Sequence, residues 1–126
     1  MSTILLVEDE ELNRTLVKAV LSRSADPVVR DATVVDAISL AAARTRIAAD
    51  HIDLILLDMN LPDGNGLTLA RELSESDAPK PTVVAVTASV LPQDRAAALE
   101  AGCDDFLDKP YAAADLIATI ARHLNP

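Results

Sequence analysis

The sequence predicts an α/β domain: a doubly wound, five-stranded parallel sheet with helices on both faces, built as (βα)5. Three observations predict it. Short apolar runs rich in Val, Leu and Ile recur without polar alternation, as strands buried on both faces require. Stretches with apolar residues at helical spacing separate them. The chain has 126 residues, 50% of them apolar, enough for one packed core and not for two.

The first strand is expected at Ile4–Val7. An acidic stretch follows, with Glu10 and Glu11 at a helix start, where the dipole favours them, and with Leu12, Leu16, Ala19 and Val20 on one face. The second strand is expected at Val28–Val29, after Pro27. Val34, Ala37, Ile38, Ala41 and Ala42 then repeat at helical spacing, which predicts a second helix running through an Ala-rich stretch to about Ala49. Leu54–Leu57 reads as the third strand, and the turn Pro62–Gly66 leads into a helix with the stripe Leu67, Ala70 and Leu73. Val83–Val86 reads as the fourth. Pro92 opens the next helix, and Gly102 sits where a C-terminal glycine belongs. Phe106–Leu107, before Pro110, predicts a short fifth strand; Leu116, Ile117, Ile120 and Leu124 stripe the last helix. At this length the flavodoxin-like order 2-1-3-4-5 is the natural topology. Residues 1–126 are expected to be a single domain with no effector domain attached.

Composition narrows the function. Twenty acids against 11 bases give a net charge of −9, which repels phosphate backbones and argues against direct nucleic-acid binding. Phe106 and Tyr111 are the only aromatic residues, so base-stacking platforms are excluded. The single cysteine, Cys103, rules out an internal disulfide and any multi-cysteine metal site. No apolar run approaches the ~20 residues of a membrane span, and the start of the chain does not read as a signal peptide. A cytoplasmic protein without membrane insertion is expected.

In an open α/β sheet, ligands bind beyond the carboxyl ends of the strands, where the order reverses. On the expected strands, that edge collects Glu8 and Asp9 from the first, Asp58 from the third, Thr87 from the fourth and Lys109 near the fifth. An oxygen-only set of carboxylates suits a hard cation such as Mg²⁺, with a backbone carbonyl after Asp58 as a further ligand. The cation relieves the repulsion among the acids and neutralises an incoming phosphoryl group. One carboxylate can then act as nucleophile and form an aspartyl phosphate, while a hydroxyl and an ammonium hold the new oxygens.

The motifs VEDE at 7–10, DLILLDMNLPDGNG at 53–66, VVAVTAS at 83–89 and AGCDDFLDKP at 101–110, in this order and spacing, resemble the CheY-like receiver domains of two-component response regulators over essentially the whole chain. The resemblance implies that Asp58 is the phosphoacceptor and that Glu8, Asp9, Asp58 and the Asn60 carbonyl hold Mg²⁺. It implies that Thr87 and Lys109 engage the phosphoryl group, that Thr87 and Phe106 form the switch, and that the side chains of Asn60 and Ser89 tune phosphoryl lifetime. Lys109–Pro110 is implied to be a cis peptide, and Ala88 is small, as access to the site requires. A histidine kinase or histidine phosphotransfer protein would donate the phosphoryl group, docking near the first helix. A downstream protein would read the surface of the fourth helix, fifth strand and fifth helix, with the chain either monomeric or dimerising on phosphorylation. Such a chain relays, drains or reports phosphate, and is a signalling protein rather than a turnover enzyme. EDEELN and LPDGNG are similar to stand-alone receivers and to those of hybrid kinases.

Two departures stand out. The acidic pair is Glu-Asp rather than Asp-Asp. The usual Gly after the second strand is missing from RDATVVDA, and Thr33–His51 is longer than the pattern expects, which bears on the second helix and not on the chemistry. Rival classes fit less well. An aspartate-dependent phosphatase needs D-x-D at the first strand, where Val7-Glu8-Asp9-Glu10 stands, and a flavin binder needs a Gly- and hydroxyl-rich loop and flanking aromatics. Cys103 reads as a small buried hydrophobe, Tyr111 as a packing or partner contact, and His51 and His123 as surface residues.

Overall fold

The computed structural model describes residues 2–88 and 91–125. Five strands run parallel: β1 (Thr3–Val7), β2 (Thr33–Ala37), β3 (Leu54–Asp58), β4 (Thr82–Thr87) and β5 (Asp105–Asp108). They lie side by side as β2, β1, β3, β4, β5, the expected order. The register places Leu5 beside both Val35 and Ile55, Ile55 beside Val83, and Ala85 beside Phe106. Five helices connect and cover the sheet: α1 (Glu11–Ser22), α2 (Leu40–Ala49), α3 (Gly66–Glu75), α4 (Pro92–Ala101) and α5 (Ala113–Leu124). A single helical turn at Pro27–Arg30 precedes β2, and a two-residue hairpin pairs Asn60–Leu61 with Gly64–Asn65.

Alternate residues of each strand face opposite sides, and two cores result. Leu5, Val7, Ile55, Leu57, Val83 and Ala85 pack against α2, α3 and α4 through Leu40, Ala43, Leu69, Ala70, Ala98 and Ala101. Ile4, Leu6, Leu54, Leu56, Val84 and Val86 pack against α1 and α5 through Val17, Leu21, Leu116 and Ile120. Each fully buried Leu, Ile or Val contributes roughly 1.5–3 kcal/mol. The near absence of polar residues from β1, β3 and β4 is thus explained: neither face is wet. No helix among the described residues is long and apolar enough to cross a membrane.

One expected element lies elsewhere. Val28 and Val29 are helical, not a strand, and the second strand is Thr33–Ala37, inside the segment expected to begin the second helix. Local chemistry decides it. Pro27 suits the first position of a helical turn because its missing N–H has no partner there anyway. Asp26 caps the turn, its Oδ1 accepting from the Val28 N–H at 2.9 Å. Thr33, Val34 and Val35 are β-branched and pair with β1 along its whole length. Removing these five residues leaves α2 with ten, so the apparent excess length was the strand itself. Gly102 ends α4 as expected, with φ +101°, and the Cys103 N–H reaches the Ala98 carbonyl at 3.0 Å.

Candidate functional site

The sheet delivers the candidate residues by keeping its strands paired to their last residue. Past the end of β1, the Glu8 N–H still donates to the Ala37 carbonyl of β2 at 3.0 Å. The Met59 N–H, just after β3, donates to Val86 of β4 at 3.2 Å. The Lys109 N–H, just after β5, donates to the Thr87 carbonyl at 2.8 Å. Glu8, Asp58, Thr87 and Lys109 are therefore held at one edge by backbone bonds that do not depend on their side chains.

Three carboxylates meet there. One oxygen from each of Glu8, Asp9 and Asp58 lies within 4.8 Å of the others. Glu8 and Asp58 are buried, 6% and 5% exposed, while Asp9 is open to solvent. Lys109 supplies the countercharge. Its Nζ donates to Asp58 Oδ2 at 3.2 Å and stands 3.9 Å from Glu8 Oε1. The other oxygen of Asp58 accepts from the Asn60 N–H at 3.1 Å, so residue 60 is drawn back over the acceptor. The Lys109–Pro110 peptide is cis. Two clustered, buried acids balanced by one ammonium and by backbone donors form a set of oxygen ligands fit for a hard divalent cation.

The model of the response regulator receiver domain family matches residues 4–121. The chain belongs to that family. DivK, the polar-differentiation response regulator of Brucella ovis, is 30% identical over 124 residues, covering 98% of this chain and 96% of DivK. KdpE, the KDP operon transcriptional regulatory protein of Escherichia coli K12, is 34% identical over 120 residues, 95% of this chain; the chain spans only 50% of KdpE's length. Among solved structures, the receiver domain of the sensor histidine kinase PA1611 from Pseudomonas aeruginosa PAO1 superposes with a TM-score of 0.83 at 29% identity, covering 99% and 98% of the two chains. That structure has a magnesium ion coordinated in its active-site cleft.

The remaining expected residues of the receiver take these places. Thr87 is half-buried and lines, with Asn60, Ala88, Arg95 and Phe106, a cavity of about 450 Å³ between the β3–α3 connection and α4. Phe106 is half-buried against the core beneath α4, and the Arg95 guanidinium lies over its ring, 5.3 Å from the centroid. Arg95 is also ion-paired with Asp108. Phe106 shares that cavity with Thr87. Ser89 lies outside the described residues. Tyr111 is half-buried, lining a small space with Glu8 and Asp58, and burial pushes its phenol up.

Cys103 is buried and its thiol is pushed up to about 11 by desolvation, as a structural cysteine should be. His123 is not a free surface residue: its Nε2 lies 2.9 Å from Asp105 Oδ2, with a side chain only 22% exposed.

Three contributors escaped sequence reasoning. Asn13 donates from Nδ2 to Glu8 Oε1 at 3.0 Å. Arg14 donates to the Glu8 carbonyl at 3.0 Å and approaches Asp36 of β2 at 3.7 Å. Asp63, at the tip of the hairpin, accepts from the Leu40 and Ala41 N–H groups at 2.8 and 3.1 Å, clasping the site loop to the start of α2. Spacing on α1 offered a weak signal for the first two, one turn beyond the acids; for Asp63 there was none, since its partners are 22 and 23 residues away.

Proposed function

We propose that this chain is the phosphoacceptor of a two-component phosphorelay, working as a response regulator receiver with Asp58 as its acceptor. The observation that carries the reading is the meeting of the Glu8, Asp9 and Asp58 oxygens within 4.8 Å, with Lys109 Nζ 3.2 Å from Asp58. Glu8, Asp9 and Asp58, with the Asn60 carbonyl, would hold Mg²⁺, and the cation would supply charge neutralisation for an entering phosphoryl group.

The chain's own residues do the rest. A carboxylate oxygen of Asp58 attacks the phosphorus of a phosphohistidine in line; the P–N bond breaks and the imidazole leaves with its electron pair. The Lys109 ammonium and the Thr87 hydroxyl receive the transferred oxygens. The side chains of Asn60 and Ser89 set how long the phosphoryl group survives. The donor is a histidine kinase or a histidine phosphotransfer protein. It docks in a groove of about 590 Å³ between α1 and the start of α5, lined by Leu16, Val20, Lys109, Tyr111 and Ala113. Leu12 and Leu16, 67% and 53% exposed, extend that apolar face along α1.

Phosphorylation draws Thr87 inward, and Phe106 fills the space that Thr87 vacates. The α4, β5 and α5 surface changes with it, and a downstream protein reads the change. The only group turned over is the chain's own phosphoryl, so this is a signalling protein. The test is mass measurement after incubation with Mg²⁺ and acetyl phosphate. One added phosphoryl mass is expected, lost with Asp58→Asn; no gain, or a gain that persists in that variant, overturns the reading.

A further inference from the structure

We propose that Asn13 is a positioning residue of the metal site, its side-chain amide holding the Glu8 carboxylate where a cation needs it. The inference rests on the Mg²⁺ reading above. Glu8 is one methylene longer than an aspartate and has one more torsion to fix before it can ligate, at an entropic cost. Main-chain bonds hold the start of that side chain: the Glu8 N–H is tied to Ala37, and its carbonyl accepts from Arg14 at 3.0 Å. Two hydrogen bonds hold the far end. The Glu10 N–H reaches Oε2 at 3.3 Å, and Asn13 Nδ2 reaches Oε1 at 3.0 Å, the shorter of the two.

Packing does not account for an asparagine at this position. The groove that Asn13 helps to line is otherwise apolar along α1, through Leu16, Val17 and Val20. What distinguishes position 13 from those neighbours is its reach to Glu8. A neutral amide steadies the carboxylate without competing for it as a cation does, whereas Lys109, 3.9 Å from the same oxygen, is itself a charge that a metal must displace or share. Groups that hold a ligand from behind typically matter about tenfold or more to metal affinity.

The test is calorimetric titration of the full chain with Mg²⁺, alongside melting without metal, for wild type, Asn13→Ala, Asn13→Gln, Glu8→Asp and the double variant Glu8→Asp/Asn13→Ala. Asn13→Ala is expected to weaken Mg²⁺ binding about tenfold with the metal-free melting temperature unchanged, and Asn13→Gln to recover part of the loss. Glu8→Asp withdraws the carboxylate from the amide, so Asn13→Ala is expected to add little in that background. Wild-type affinity in Asn13→Ala, or an equal loss in both backgrounds accompanied by a lower metal-free melting temperature, overturns the inference alone. A wild-type chain that takes up no Mg²⁺ overturns it together with the site reading.

Discussion

A Cβ added to Gly66 would lie 2.5 Å from the carbonyl oxygen of Asp58. The glycine is required by this close approach and not by backbone freedom, since Gly66 does not have the positive φ of Gly64 and Gly102. Its N–H also donates to the Met59 carbonyl at 3.0 Å, so α3 begins with its backbone pressed onto the end of β3. Gly66→Ala is expected to push the end of β3 aside and to cost about 1–3 kcal/mol, the usual range for overpacking. Chemical denaturation measures the loss, and acetyl phosphate labelling should slow with it.

Lys109 balances two buried acids. Lys109→Ala is expected to lower stability in a chelating buffer by about 2 kcal/mol, because Glu8 and Asp58 then face each other without a cation. Added Mg²⁺ should raise the melting temperature of the variant more than that of wild type. Equal stabilisation of the two proteins would show that the ammonium does not stand in for the metal.

The clasp formed by Asp63 predicts an acid dependence. Backbone hydrogen bonds from Leu40 and Ala41 hold its carboxyl below the usual carboxylate range. A depressed folded pKa gives stability that is present above the ordinary value near 4 and is lost as pH falls through the folded value. Asp63→Ala is therefore expected to melt a few degrees lower than wild type at pH 7, with the gap closing as pH drops below about 4. Thermal melts across that range read it directly.

Arg95 holds Phe106 from above while pairing with Asp108. Because Phe106 is the chain's one phenylalanine, fluorophenylalanine labelling gives a single fluorine resonance for its ring. Arg95→Ala is expected to shift or broaden that resonance without phosphorylation, and to cost about 0.5–1 kcal/mol for the lost cation–π contact. An unchanged resonance would mean that the guanidinium does not restrain the ring.

The residues that could be read from the sequence are those whose position follows from where a strand ends. β1, β3 and β4 are buried on both faces, so their apolar runs stand out, and Glu8, Asp58 and Thr87 follow directly after or within them. β2 does not stand out in the sequence because it is an edge strand, only half-buried along most of its length, and its Val34–Ala37 spacing mimics a helix. His123 reads as surface until β5 is folded beside α5, where Asp105 meets it. Asn13 gives only the weak signal of its spacing from Glu8, and Asp63 acts through partners 22 and 23 residues away that only the assembled fold brings near.

The groove beside α1 has two kinds of lining. Leu16 and Ala113 are exposed and hold no residue of the site, while Asn13 bonds Glu8 and Lys109 engages both Asp58 and Glu8. Under the proposed mode of docking, partner choice can be rewritten by exchanging the first kind with the chemistry intact. Exchanging the second kind alters both at once. An engineer wishing to change what fills this groove, like a lineage diverging after duplication, has Leu16 and Ala113 to vary freely beside two positions, Asn13 and Lys109, that are constrained by the site.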